Sequence, residues 1–300
     1  MTLPTEIVIG VLGHPIAGNP AQFTLQRAFE SLDLDWRVLS FEILPDRLAD
    51  ALAGAEAFGF RGLWIDPTLS ETAAQWLKQH DCQIPADAGR VDCVSIAASS
   101  DQRHPSKGYD LRSRWLAKQV TQHFQDRGRR MSQVVWVGRE QPASVPAWAT
   151  PATDPPDSKS PVTSNSEPSD DEGTSPDQAS IEPAKASPDE SASPTITWSS
   201  TWEAVDLASL RQADLICIDG EGSGDQPSPD DVPTNAATAL VVDLSESGCE
   251  SAEWLSRCGY QVVSFEARRV GLLAEAIALW TEKEVDLNVL REAIDEYLAI

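Results

Sequence analysis

The residues with the clearest potential for chemistry follow a β-branched, apolar stretch that begins at Ile7 and ends in a glycine-rich turn at Gly13. A turn of this kind, placed before a helix, can present free backbone N–H groups to an anion. His14 stands inside the turn, where an imidazole can take up or release a proton near neutral pH. A histidine that caps the turn or lies on the surface is the alternative, and the residue types alone leave both open.

The cysteines show no pattern of a metal site or of a disulfide framework. There are five of them, an odd number, and no two are spaced as C-x-x-C. They are Cys82, Cys93, Cys217, Cys249 and Cys258. We therefore expect reduced and mostly buried thiols, and no bound metal.

Composition excludes several classes of function. The formal net charge of −24 repels phosphate backbones, so we expect no nucleic acid partner. No run of eighteen apolar residues occurs, and residues 1–6 lack the basic and apolar regions of a secretory signal. We expect a cytoplasmic protein that binds neither nucleic acid nor membrane.

Strand and helix patterns alternate along the first third of the chain. The strand patterns cover residues 6–12, 36–43, 61–66 and 91–97. The first three precede helix patterns that begin near Pro20, near Pro45 and at the capping-box residues Thr68 and Glu71. Three β-α units in series predict a parallel α/β layer, and a long helix pattern follows from Gly108.

The second half repeats the alternation around a buried-type strand over residues 132–138. Further strand patterns cover 214–219, 239–244 and 259–265, and helix patterns cover 202–210, 251–258, 268–283 and 287–298. A strand such as 132–138 begins a nucleotide-binding half, in which a G-x-G-x-x-G turn and a helix come next. Here Gly138 is followed by Arg139 and by two prolines, Pro142 and Pro146, which oppose a helix. Gly138 is therefore only a weak indication of a cofactor site.

An insertion interrupts this second half over residues 150–195. It consists largely of Pro, Ser, Thr, Asp and Glu and has no aromatic residue. Such a segment cannot bury enough apolar area to offset an ordering entropy of about 1–2 kcal/mol per residue. We expect a disordered insertion, either without a function of its own or acting as a tether or a phosphorylatable loop.

Seven segments, in the expected order, resemble motifs of the shikimate dehydrogenase family. They begin at Gly13, Arg61, Ala88, Gly108, Ala213, Val242 and Gly259. Gly13, Pro15 and Ile16 match the family's Gly-x-Pro-Ile turn, and residues 259–280 align with a family segment without a gap. The resemblance implies an α/β fold with a substrate-binding domain and a reduced Rossmann-like domain. It also implies NADP-dependent reduction of 3-dehydroshikimate to shikimate, a step of aromatic amino acid biosynthesis.

The same resemblance implies a division of the chain. The parts are a substrate-binding-like domain over 1–106, a connecting helix over 107–130, a Rossmann-like domain over 131–266 that carries the insertion, and C-terminal helices over 267–300 that pack back toward the first domain.

The family's working residues are replaced. Its catalytic lysine and aspartate fall on Ser70 and Arg112, with Asp110 as a substitute two residues away, and its carboxylate-binding serines fall on Asn19 and Ala21. A serine has no ammonium group, an arginine reverses the charge, and an alanine cannot donate a hydrogen bond. The resemblance implies a substrate cleft between the domains, lined by His14, Asn19, Ala21, Trp64, Asp66, Asp92, Glu246 and Leu272.

Three hypotheses follow. Loss of a general acid or base costs about 10²–10⁴-fold in rate, which favours a divergent protein without dehydrogenase activity, kept as a small-molecule-binding or regulatory module with no assigned cofactor. Its acidic cleft residues predict a cationic or neutral ligand. The alternatives are an active dehydrogenase that binds NADP, and new acid-base chemistry in which His14 acts with Asp66, Cys93 or Asp110. The sequence does not define an oligomeric state.

Overall fold

The computed structural model describes residues 6–80, 82–85, 88–96, 106–138, 141, 145–149, 194–202, 204–220 and 238–299. Nearly all of the predicted insertion therefore lies outside the described residues. Its last residue, Thr195, already begins a strand.

The first sheet has five strands, in the order β2-β1-β3-β4-β5. They are β1 (Ile7–Gly13), β2 (Trp36–Glu42), β3 (Gly62–Ile65), β4 (Cys93–Ser95) and β5 (Lys107–Tyr109). β1 pairs in parallel with β2 and β3, as the three β-α units predict, and helices α1 (Ala21–Ser31), α2 (Leu48–Phe58) and α3 (Pro67–Gln79) follow these strands. β4, in contrast, runs antiparallel to both of its neighbours.

Two expectations for this part of the chain are wrong in detail. The capping box at Thr68 does not begin α3, because Asp66 is the N-cap and accepts a hydrogen bond of 3.1 Å from the Thr68 N–H. The long helix does not begin at Gly108, which pairs with Val94 in the sheet. A Cβ on Gly108 would lie 2.8 Å from Ile84 Cγ2, so the close packing at this edge strand requires glycine. The helix, α4, is Leu111–Gln125.

The second sheet also has five strands, in the order β10-β9-β8-β6-β7, and every pair is parallel. Its strands are β6 (Gln133–Gly138), β7 (Thr195–Ser199), β8 (Leu215–Asp219), β9 (Leu240–Asp243) and β10 (Gln261–Val263). Helices α5 (Leu207–Gln212) and α6 (Glu250–Arg257) pack beside them. The predicted helix over 202–210 begins late because Asp206 caps it, while Trp202 is buried in the core of this half.

Between β6 and β7 the described residues contain no α-helix, only a 3₁₀ turn at Ala147–Ala149. The described strands form an α/β fold with one mixed and one parallel sheet, in agreement with the predicted fold class.

Two helices end the chain and pack on the first half. α7 (Phe265–Thr281) starts at Phe265 because Ser264 caps it, and α8 (Leu287–Leu298) has the predicted bounds with Asp286 as its N-cap. Apolar residues of α1, α7 and α8 share one core, which includes Phe29, Ile277, Trp280 and Leu290. Helix α7 therefore links the two sheets, and its first turns face the space between them.

Among the helices of the described ranges, none is long and apolar enough to cross a membrane. The same ranges contain no group of three potential metal ligands.

Candidate functional site

A cavity of about 870 Å³ lies between the two sheets, at the carboxyl ends of β1, β3 and β9. Loops that follow parallel strands form its walls, which is where α/β proteins bind ligands. Of the eight residues predicted for the cleft, seven line it: Asn19, Ala21, Trp64, Asp66, Asp92, Glu246 and Leu272. His14 does not line the cavity; its Nδ1 lies 3.6 Å from Glu42 Oε1 beside the neighbouring strand.

In the first turn, the Asn19 side chain makes hydrogen bonds within the protein. The Asn19 side chain donates a hydrogen bond of 2.9 Å to Asp66 Oδ2 and accepts one of 2.9 Å from the Ala21 N–H. Asp66 in turn accepts hydrogen bonds from the backbone and hydroxyl of Thr68. These contacts fix the turn against the start of α3, so both side chains are occupied by structural bonds.

Ser70, at the position of the family's catalytic lysine, does not face the cavity. Its side chain is buried in α3, with the residue only 1% exposed, and its hydroxyl donates a 2.9 Å hydrogen bond to the Pro67 carbonyl. It therefore contributes neither a charge nor a proton donor to the space between the sheets.

Asp92 caps helix α4 from the loop before β4. Its carboxylate accepts hydrogen bonds from the Leu111 N–H at 2.7 Å and from the Arg112 N–H at 3.2 Å. Burial raises the pKa of the Asp92 carboxyl to about 6, although the Arg90 guanidinium and the two backbone donors lower it. A buried carboxylate at the helix N-terminus orients the start of α4 and with it the Arg112 side chain.

Arg112, at the position of the family's catalytic aspartate, links the two halves of the chain. Its Nη1 donates a 2.6 Å hydrogen bond to Glu246 Oε1, and its Nη2 donates one of 2.6 Å to the Leu244 carbonyl. Both partners belong to the loop after β9. A guanidinium held in this way is a structural cation, since an arginine side chain keeps its proton in proteins.

Arg268 forms the floor beside this pair. It is almost completely buried and donates hydrogen bonds to the carbonyl oxygens of Asp243 and Ser245. Burial lowers the pKa of the Arg268 guanidinium to about 10, and the nearby charge of Arg112 acts in the same direction. The Asp243 carboxylate accepts hydrogen bonds from the Ser245 and Cys249 N–H groups, which closes the loop after β9 on itself.

Arg90 completes the cluster but has no hydrogen-bonded acceptor within the described part of the chain. Its Nε is buried and lies 3.9 Å from Asp92 Oδ2, and its Nη1 lies 3.8 Å from Glu246 Oε1. Sequence reasoning missed Arg90, Arg268 and the two further cavity arginines, Arg269 and Arg291. For Arg90 the sequence did contain a signal: it lies two residues before Asp92, which was itself predicted to line the cleft.

The cleft carboxylates already accept hydrogen bonds from the protein. Asp66 and Asp92 accept backbone N–H bonds, and Glu246 accepts from Arg112. Because arginines stand beside them, the expected preference for a cationic or neutral ligand does not follow from this geometry.

The residues of the acid-base hypothesis do not meet in the cavity. Only Asp66 lines it. Cys93 is fully buried in β4, where burial raises the pKa of its thiol well above the usual value. Asp110 caps α4 by accepting a hydrogen bond of 2.9 Å from the Ser113 N–H. The structure therefore contains no His14-Cys93 or His14-Asp110 pair in the cavity.

Gly138 is closely packed at the end of β6. A Cβ on Gly138 would lie 2.9 Å from both Cβ and the carbonyl oxygen of Asp219, and the Gly138 carbonyl accepts a 3.2 Å hydrogen bond from Trp198 Nε1. No α-helix N-terminus follows among the described residues up to β7, and such an N-terminus is what binds a pyrophosphate. Arg139 and Pro142 lie outside the described residues.

Comparison with known sequences finds shikimate dehydrogenases over part of the chain. The shikimate dehydrogenase (NADP(+)) of Methanococcus maripaludis is 30% identical over 89 residues, which are 30% of this chain and 32% of that protein. The corresponding protein of Archaeoglobus fulgidus is 33% identical over 89 residues, 30% of this chain and 31% of its own length. The matched segments thus span about a third of these relatives, and no family model matches the chain.

Solved structures share the fold over almost the whole chain. The shikimate 5-dehydrogenase of Thermus thermophilus, in complex with shikimate, superposes with a TM-score of 0.61 at 16% identity, over 98% of this chain and 100% of that one. The quinate dehydrogenase of Corynebacterium glutamicum, in complex with NAD, superposes with a TM-score of 0.62 at 13% identity, over 98% of this chain and 99% of that one. At these identities the similarity establishes the fold alone. The chain therefore has the fold of the shikimate dehydrogenases and resembles them in sequence over about a third of its length.

Proposed function

We propose that this chain is a cytoplasmic small-molecule-binding or regulatory protein built on the shikimate dehydrogenase fold, without the family's dehydrogenase activity. The observation that supports the proposal is that Ser70 is buried and does not reach the cavity. Reduction of a ketone needs a group that delivers a proton to the oxygen, and Ser70 is buried, bonded to Pro67 and absent from the cavity wall.

The position of Arg112 supports the same proposal. A guanidinium in place of a carboxylate cannot accept a proton, and this one is already bonded to Glu246 and to the Leu244 carbonyl. The cavity nevertheless has the size of a ligand site, because pockets for small molecules occupy about 300–1,000 Å³. The chain thus has a cavity of suitable size, while Ser70 and Arg112, the residues matched with the catalytic positions, make hydrogen bonds within the protein.

An active NADP-dependent shikimate 3-dehydrogenase is the second candidate function. The observation in its favour is that the relatives of this chain are named shikimate dehydrogenase (NADP(+)). In that case NADP would bind at the second sheet beyond Gly138, through residues outside the described ranges.

The two candidates are separated by cofactor binding and turnover. The purified full-length protein is titrated with NADPH by fluorescence and calorimetry, and then assayed with 3-dehydroshikimate and NADPH, with a shikimate dehydrogenase measured in parallel as the positive control. We expect no saturable binding up to millimolar NADPH and no turnover. Micromolar NADPH affinity together with turnover would overturn the proposal and establish the second candidate.

Binding of a small molecule in the cavity has its own test. The protein is screened by ligand-observed NMR against small organic acids, amines and neutral alcohols. Leu272 lines the cavity, so Leu272→Trp narrows it, whereas Leu44→Trp alters an exposed leucine outside the cavity wall. We expect binding compounds whose signals are lost with Leu272→Trp and kept with Leu44→Trp. Equal binding by both variants, or no binding compound at all, contradicts a cavity ligand.

A further inference from the structure

Arg90 is a partly buried guanidinium whose hydrogen-bonding capacity is unused in the described part of the chain. An arginine has five N–H donors. The side chain of Arg90 is 21% exposed and lines the cavity, yet its two nearest carboxylate oxygens lie at 3.8 and 3.9 Å, beyond hydrogen-bond distance. Buried donors without an acceptor are rare in folded proteins, and each one calls for an explanation.

The neighbouring arginines differ from Arg90 in this respect. Arg112 is bonded to Glu246 and Leu244, and Arg268 is bonded to two carbonyl oxygens after β9. Those side chains hold the loops in place. Within this cluster, Arg90 is the guanidinium whose donors remain available to a molecule in the cavity.

Of the two carboxylates in the cluster, Glu246 can be displaced by a ligand more easily than Asp92. Asp92 is buried and anchored by two backbone N–H groups at the start of α4. Glu246 is 53% exposed, and its hydrogen bond in the described structure comes from the Arg112 side chain. Its carboxylate stands between the guanidinium groups of Arg90 and Arg112, at the place where an external oxyanion would meet both.

We propose that Arg90 anchors the oxyanion group of a small organic acid in the cavity and that the Glu246 carboxylate occupies the place of this oxyanion in the free protein. The proposal rests on the proposed binding function. The planar fork of an arginine matches a carboxylate or a phosphate through two parallel hydrogen bonds. Acid binding would therefore give the Arg90 donors an acceptor that the described part of the chain does not supply.

The rest of the cavity wall indicates the chemical character of the ligand beyond its oxyanion group. Apolar side chains from α7, α8 and the end of β3 face the same space: Trp64, Phe265, Leu272, Leu273 and Ile294. Such a wall favours an apolar, ring-sized body, since burial of apolar surface drives its binding. The ligand class is an apolar organic acid, either a carboxylate or a phosphate ester.

Ring-matched probes test this class directly. Calorimetry of the full chain compares benzoate, phenyl phosphate, benzylamine and benzyl alcohol, with inorganic phosphate to separate the anion from the ring. We expect at least one of the two ring acids to bind roughly tenfold or more tightly than benzyl alcohol, as charge-assisted hydrogen bonds predict. The stronger of benzoate and phenyl phosphate identifies the oxyanion.

Three variants assign the effect to Arg90. Arg90→Gln should weaken binding of the ring acid by roughly 10- to 100-fold, because it removes hydrogen bonds to a charged group. Glu246→Gln keeps an acceptor for Arg112 but removes the competing charge, so it should tighten binding. Arg47→Gln is the matched control, since it makes the same change in charge at an exposed arginine that is bonded to Asp50 outside the cavity wall, and it should leave the affinity nearly unchanged. Thermal unfolding checks that each variant folds.

The outcomes separate this inference from the proposed function. If benzyl alcohol binds as tightly as the ring acids, or if Arg90→Gln leaves the acid preference intact, the inference is wrong while binding in the cavity stands. If none of the ring probes binds and the NMR screen also finds no cavity ligand, both are wrong. Loss of acid preference with Arg90→Gln, together with tighter binding by Glu246→Gln, establishes the inference.

Discussion

The variant Asp92→Asn should be more stable than the natural chain at neutral pH. Asp92 is a buried carboxyl whose pKa rises from 3.8 to about 6, mainly through burial and also through the nearby charge of Asp110. Asparagine has nearly the same shape, and its amide oxygen can still accept the 2.7 Å hydrogen bond from the Leu111 N–H, although the longer bond of 3.2 Å from the Arg112 N–H is lost. The substitution therefore removes the charge and keeps the shorter of the two hydrogen bonds at the start of α4.

The magnitude follows from the pKa difference. A shift of about two units, at about 1.36 kcal/mol per unit, corresponds to about 3 kcal/mol of unfavourable free energy for the charged form in the folded state. Because the folded pKa is raised, the folded protein binds the proton more tightly than the unfolded chain does. The stabilisation by the neutral carboxyl is thus complete below pH 3.8 and is lost as the pH rises through about 6.

Urea unfolding followed by tryptophan fluorescence measures this effect. The natural chain and Asp92→Asn are compared at intervals between pH 4 and pH 7.5. We expect the difference in unfolding free energy to be small at pH 4 and to grow toward about 3 kcal/mol above pH 6 in favour of the variant. A difference that does not change with pH, or a variant that is less stable at pH 7, would refute the buried-carboxyl explanation.

The remaining predictions concern packing and capping. Gly271→Ala should lower the unfolding free energy by about 1–3 kcal/mol, because a Cβ there would lie 2.1 Å from Trp115 Nε1 in the α4–α7 contact. Thermal unfolding should show Gly54→Ala to be neutral or stabilising, since its nearest neighbouring atom would be 3.9 Å away, and an equal effect of both changes would contradict the packing argument. Asp286→Ala removes the 2.9 Å hydrogen bond to the Asn288 N–H and should cost about 1 kcal/mol in urea unfolding, with increased hydrogen exchange at the start of α8; unchanged exchange there would count against the cap.

Three of the residues that the resemblance matches with the family's working positions make hydrogen bonds within the protein. Ser70 and Arg112 make hydrogen bonds that support the elements to which they belong. Asn19 likewise joins the first turn to Asp66 at the start of α3. These side chains therefore contribute to the stability of the fold around the cavity.

Local patterns in the sequence determine much of the fold. The alternation of strands and helices, the buried strand β1 and the full extent of α8 follow from apolar spacing and from the Asp286 cap, because these depend on residues a few positions apart. The residue types after Gly138 also predict that the family's glycine-rich phosphate turn is absent, a prediction that falls mostly on residues outside the described ranges.

Only the tertiary structure decides the remaining features. β5 is three residues long and exists because Gly108 pairs with Val94, a contact that no local pattern indicates. The cavity arginines come from the loop before β4, from α4, from α7 and from α8. Arg90 stands 156 positions before Glu246 in the chain, yet its Nη1 lies 3.8 Å from that carboxylate. The sequence alone predicts an acidic cleft, whereas the folded chain presents guanidinium groups beside its acids, because non-local packing decides which charges share a space.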